Sequence, residues 1–376
     1  MQIKTYLYMD KKWSEPLDVS MDSSNTLVVV FGSTDIVSIQ EGLDTLILLY
    51  KNATIMGCST SGEIYKNEVY DASLSVAVVK FEKSTFKLVV EELEEENSFE
   101  IGKKILDTLR GDELKSIFLL CDAQNIDGSQ LSRGLNEDLP LECAITGGLA
   151  GDGVAFNKTW IIVNSKIVKK YISAVGLYGK DLRVHYGCKC GWSRFGVERR
   201  VTSIKGNTLY TLDNKPALEL YKTYLGIYAS ELPAAALHFP LMLLQDGDSD
   251  AKLRAIRAID EENDSIILAG SIKQESIVSF AKANFDELID GAQEAAELVS
   301  IGYDKEIPAL CIAVSCIARR NVLKQNAEDE LEVVVDTLGT NVATIGFYSF
   351  GEFSKSQAGC CDFHNQSISL TMIYEQ

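Results

Sequence analysis

Histidine and proline are scarce in this chain, with three of the first and six of the second among 376 residues. So few imidazoles leave little material for a His-rich metal centre or a histidine-dependent triad. Positive charge is also short: 36 Lys and Arg face 54 Asp and Glu, a formal net charge of −18. That balance argues against nucleic-acid backbone binding and against docking on an anionic bilayer. No apolar run reaches the ~18 residues of a membrane span. The best candidate, 232–244, is broken by Pro233, His238 and Pro240. The first residues, MQIKTYLYMD, hold neither the apolar stretch nor the small-residue cleavage site of a signal peptide. The nine cysteines are odd in number, and Cys188/Cys190 and Cys360/Cys361 lack the C-x₂-C spacing of zinc sites. These absences predict a cytoplasmic chain with reduced thiols, no membrane insertion, no nucleic-acid partner and no resident metal.

What is present is an alternation of apolar runs and helix-period stretches, the mark of an α/β fold. Strands are expected at 26–31, 53–56, 74–79, 114–121, 144–146, 160–163, 173–178, 309–314, 343–345 and 367–374. Shorter strands are expected at 183–186, 197–203 and 209–212. Helices are expected at 39–50, around 105–109, and at 129–139, 217–225 and 327–338. Because the strands read as continuously apolar, they form mixed sheets layered with helices. Pro216 at a helix start suggests two domains, 1–213 and 214–376. The acidic run 91–96 reads as a solvated surface.

A repeat organises the chain. Ile55-Met56-Gly57-x₄-Gly62-Glu63-Ile64 matches Thr344-Ile345-Gly346-x₄-Gly351-Glu352-Phe353, and Ile145-Thr146-Gly147-x₃-Gly151-Asp152 is a shorter third copy. The units are therefore duplicated strand–helix–strand–loop–strand modules whose loops could face one cleft. The glycine spacing is that of a phosphate loop, but Glu63 and Glu352 stand where the lysine belongs, which excludes a polyphosphate. Backbone N–H groups there suit a carboxylate while a Glu pairs an ammonium, a combination fitted to a zwitterion. The opposing reading is that each Glu buttresses its own turn. The candidate ligand residues are Gly57, Cys58, Ser59, Thr60, Glu63, Gly148, Asp152, Cys316, Arg319, Tyr348 and Glu352. Arg319 either holds a ligand carboxylate or forms a structural ion pair. Cys58 is a nucleophile only if a base lies beside it. The Asp246–Asp250 stretch resembles a calcium loop but lacks its Gly and Glu.

These same residues carry a family resemblance. Met56–Ile64, Thr146–Asp152 with Thr159-Trp160, and Ala174–Gly179 resemble the FIST N domain. Tyr224-Leu-Gly, Glu231-Leu-Pro233, Ser315–Arg319, Gly346–Glu352 and Cys361–Gln366 resemble the FIST C domain. The resemblance covers nearly the whole chain; the stretch Cys188–Trp192 departs from the pattern. It implies a non-enzymatic sensory protein of prokaryotic signal transduction that binds a small ligand such as an amino acid. Such a protein acts on a separate partner such as a histidine kinase. Some stand-alone members of the family are haem proteins that sense nitric oxide, which would require His185, His238 or His364 as the iron ligand. A thiol-dependent enzyme using Cys58 is the remaining alternative.

Overall fold

In the computed structural model, the described residues are all but 95–96, 125, 141, 154, 156, 164, 245–251 and 356–359. The Asp246–Asp250 stretch and the end of the acidic run lie outside them. The architecture is α/β and is built from three equivalent units plus one insertion. Each unit has a leading strand, two parallel strands joined through helix, and a closing strand antiparallel to both the first parallel strand and the leading strand. In the first unit these are Gln2–Met9, Thr26–Gly32, Thr54–Ser59 and Leu74–Lys80, with helix Ile36–Leu49. In the second they are Thr85–Glu92, Leu114–Cys121, Ala144–Leu149 and Tyr171–Tyr178, with helix Gly128–Leu135. In the third they are Leu182–Lys189, Ala309–Cys316, Val342–Ser349 and Ile368–Glu375, with helices Ile317–Leu323 and Ala327–Leu338.

The units are tied by a cyclic exchange of strands. After its second parallel strand, each chain segment leaves its own sheet and adds a short strand to a neighbour's. Glu63–Tyr65 of the first unit pairs with Val342–Ser349 of the third. Glu352–Lys355 of the third pairs with Ala144–Leu149 of the second. Ile161–Val163 of the second pairs with Thr54–Ser59 of the first. Strand boundaries run a few residues beyond those expected, because ladder hydrogen bonds continue into the glycine-containing ends.

Alternation along the strands explains the uninterrupted apolar runs. Leu27, Val29 and Phe31 pack inward with Phe118, Leu120, Ile312 and Phe347 in a core shared by all three sheets. Phe31 and Phe347 stack at 4.6 Å across it. Val28 and Val30 face the other way, against Ile39, Leu43 and Leu46 of the covering helix. Buried on both faces, such strands have no polar side.

Residues 193–282 form the insertion, which interrupts the third unit between its leading strand and the helix Phe285–Val299. It is an antiparallel sheet around helix Ala217–Leu225 and has its own core of Leu209, Leu212, Tyr221, Leu241, Val278 and Phe280. Residues 213–214 are the turn between Thr208–Leu212 and Lys215–Pro216. Pro216 is the residue before the helix rather than its first. The strands of the insertion between 241 and 282, the leading strand Gln2–Met9 and the helix Phe285–Val299 have no counterpart in the sequence expectations.

Candidate functional site

The three glycine loops do meet. Ser61 N–H donates to the Tyr348 carbonyl and Tyr348 N–H to that of Gly62, at 2.8 and 2.9 Å. Gly151 N–H donates to Ser59 O at 2.9 Å, and Leu149 N–H to Gly351 O at 2.8 Å. Each second strand is thereby clasped by a neighbour's loop. The clasp needs glycine at one repeated position. A Cβ on Gly57, Gly147 or Gly346 would lie 2.4, 1.9 or 1.9 Å from the carbonyl oxygen of Val30, Leu119 or Ala313 on the parallel neighbour. Gly147 also holds φ at +133°. Gly148 is packed against Val314, 2.7 Å from where its Cβ would stand.

The junction is closed, not an open cleft. Cys58, Ser59, Thr60, Glu63, Asp152, Tyr348 and Glu352 are all buried within it. Glu63 accepts from the Thr60 hydroxyl, and from the Ser73 N–H and hydroxyl at 3.1 and 2.7 Å. Glu352 repeats the pattern with the Ser349 hydroxyl at 2.6 Å and the Ser367 N–H and hydroxyl at 3.3 and 2.8 Å. Burial pushes both carboxyls up to about 7, and the hydrogen bonds oppose it. These acids buttress their own turns, so the expectation that they pair a ligand ammonium has no geometric support.

The second unit solves the same problem with a different residue. Ile161, not Asp152, occupies the register position of Glu63 and Glu352, facing Cys58 as Glu63 faces Phe347. The acid comes instead from the end of the first strand. Asp122 is fully buried and accepts from the Thr159 hydroxyl and the Lys170 N–H, both at 2.5 Å. Asp152 caps its own loop, accepting from Asn157 N and Lys158 N at 2.8 and 2.6 Å. The sequence match of Gly151-Asp152 to Gly62-Glu63 is therefore displaced. The signal that could have located Asp122 is its place directly after an apolar strand.

Arg319 is a structural residue. Its Nε meets Glu330 at 2.6 Å, while Nη1 and Nη2 donate to the carbonyls of Cys190 and Leu288 at 2.5 and 2.7 Å. Both side chains of the pair are fully buried, and Tyr348 adds its hydroxyl to Glu330 at 3.2 Å. Cys58 is fully buried, and burial alone drives its thiol well above the ordinary range, which suppresses the thiolate a nucleophile needs.

The three histidines sit in separate surroundings. His185 has both ring nitrogens engaged, Nδ1 with Val299 O and Nε2 with Tyr374 Oη, each at 3.1 Å. His238 ends a short 3₁₀ turn and is pushed down by burial. His364 is pushed down to about 4 by burial, and its Nε2 is enclosed without a partner.

An open space does lie beside the junction. A cavity of about 290 Å³ is walled by Ile126 and Leu149 of the second unit, Phe350 and Phe363 of the exchanged segment, and Leu237 and Ile256 of the insertion. Cys316 and the following Ile317 and Ala318 close one side, and the exposed Arg257 supplies the one charged group among the described lining residues. Cys316 lines this cavity, and the other ten candidates do not. None of the three histidines lines it either. The walls come from three separate parts of the chain, which is why no single motif marks them.

A solved cyanuric acid hydrolase from A. caulinodans matches over 100% of this chain and 99% of its own, at a TM-score of 0.37 and 9% identity, too remote to carry a functional argument. An uncharacterised protein of Methanocaldococcus jannaschii is 29% identical over 195 residues, which are 48% of this chain and 36% of that protein. The chain thus spans about a third of the length of that curated relative. No helix among the described residues is long and apolar enough to cross a membrane. The FIST N profile matches residues 26–215 and the FIST C profile residues 217–355. With three strand-exchanged units and both profiles matched in order, the chain belongs to the FIST family, whose domains are sensors of signal transduction.

Proposed function

We propose that this chain is a non-enzymatic cytoplasmic sensor that binds a small carboxylate with an apolar body in the 290 Å³ cavity and signals to a separate protein such as a histidine kinase. One observation carries the reading: the cavity is walled jointly by the second unit, the third unit and the insertion. A ligand there would touch all three parts, and differential contact is what lets a ligand bias an arrangement. The volume sits at the small end of ligand pockets, and the lining has their usual apolar character with few polar groups.

The chemistry of the walls refines the expected ligand. Arg257 suits a carboxylate, whereas no acid among the described lining residues is available to an ammonium. An aliphatic or aromatic carboxylate is therefore favoured over a zwitterionic amino acid. A thermal-shift titration with hexanoate, phenylacetate, leucine and glycine tests this. The melting point should rise with hexanoate or phenylacetate concentration as linkage requires, and Ala318→Trp should abolish the response. A response to the amino acids alone, or one untouched by Ala318→Trp, contradicts the reading.

A further inference from the structure

A second cavity, of about 540 Å³, lies behind the wall of the first. Strand alternation turns Asp362 to the second and Phe363 to the first; Lys252 and Arg254 line the second, and after the break between the strands Lys252–Arg254 and Ile256–Asp260 residues 255–257 line the first. Its lining is polar and basic. Among the described lining residues, Arg133, Lys252, Arg254 and Lys273 outnumber Asp127 and Asp362 by two, in a chain whose net charge is −18.

Both acids are already committed. Lys252 pairs with Asp362. Asp127 caps the helix Gly128–Leu135, accepting from the N–H groups of Ser129 and Gln130. Arg254 is different. It is 2% exposed, and its Nε and Nη1 donate to carbonyls: Ser271 at 3.1 Å, and Leu253 and Phe363 at 3.0 Å each. Nη2 has no hydrogen-bond partner, and no carboxylate stands within ion-pair distance of the guanidinium among the described residues. A buried cation satisfied only by neutral carbonyls is costly unless an anion completes it. Serine hydroxyls line the same cavity. Ser129 Oγ accepts from Ser271 N at 3.1 Å and keeps its own proton to donate, and Ser271 and Ser276 also line the space.

We propose that this cavity binds a small dianion of the phosphate-monoester type, received by Nη2 of Arg254 and by the serine hydroxyls, with Lys273 and Arg133 at the mouth. A dianion balances the two excess positive charges of the described lining residues; a monocarboxylate leaves one of them unmatched. The site joins the insertion to the second unit at a place separate from the apolar cavity, and it stands whether or not that cavity binds a carboxylate.

Titration calorimetry with inorganic phosphate and with glycerol phosphate tests it, with acetate as the monoanionic control. The wild-type chain should bind a dianion saturably and acetate far more weakly. Lys273→Ala removes an exposed side chain and leaves the fold intact. It should weaken dianion binding several-fold, since a hydrogen bond to a charged group is worth about tenfold or more when fully formed. Arg254→Gln should abolish binding, with a circular-dichroism melt confirming that the variant is folded. If Arg254→Gln fails to fold, the double variant Arg133→Ala/Lys273→Ala replaces it and should weaken binding beyond Lys273→Ala alone. Absence of saturable dianion binding in the wild type, or binding that Lys273→Ala and the second variant leave unchanged, overturns the proposal.

Discussion

The three glycine loops and the two cavities differ in almost every respect. The loops repeat, carry recognisable spacing and are sealed; the cavities have no motif, draw on distant segments and are open. Glu63 and Glu352 satisfy one pattern of donors twice over, and Asp122 reproduces it from another strand. What recurs is the need to hold a strand crossing, so repetition here reports architecture. Cavities open where the units and the insertion fail to fill the gap between them.

The largest effect should come from breaking a clasp. Gly147→Ala or Gly346→Ala places a Cβ 1.9 Å from a neighbouring strand's carbonyl oxygen. Either should destabilise by about 4 kcal/mol or more, read by denaturant melting. Arg319→Met follows, because it leaves Glu330 buried and unpaired. A loss of about 3–5 kcal/mol is expected with no change in ligand affinity. A ligand-specific loss without destabilisation would instead return Arg319 to the binding site.

The buried acids should show themselves in the pH dependence of stability. Each has its pKa raised from 4.5 to about 7 in the folded chain. The folded state then holds its proton where the unfolded state has lost it, so their contribution is full below about pH 4.5 and is lost as pH rises through about 7. At ~1.4 kcal/mol per pKa unit, the change is of the order of ~3 kcal/mol for each carboxyl. Glu63→Gln and Glu352→Gln should each flatten this decline between pH 5 and 8, which thermal melts across that range will read. A stability that rises over the same interval would contradict the assignment. The smallest effect concerns thiols. Exposed Cys360 should alkylate rapidly in the native chain while buried Cys58 does not, which mass spectrometry will report.

Much of the scaffold was legible. Thr26–Gly32, Leu114–Cys121 and Ala327–Leu338 announce themselves because burial on two faces, or on one helical face, leaves a periodic apolar trace. The duplication was legible too, since each crossing requires its glycine. The strand exchange was not, because pairing Glu63–Tyr65 with Val342–Ser349 joins segments nearly 280 residues apart without a local mark. The insertion's 241–244 and 277–282 strands are short and unpatterned for the same reason. Of the residues lining the candidate site, Cys316 alone stands out in the sequence, at the end of a buried strand. Its companions Leu149, Phe350 and Ile256 read as ordinary core, since an apolar wall facing a cavity has the composition of one facing protein.

The central claim is that the loops are scaffold and the cavity beside Cys316 is the sensor site. A paired hexanoate titration of Glu352→Gln and Ala318→Trp, followed by thermal shift, tests it most directly. The account predicts that Glu352→Gln keeps the wild-type affinity while Ala318→Trp loses the response. Loss in Glu352→Gln with retention in Ala318→Trp would place the ligand back in the glycine loops and contradict it.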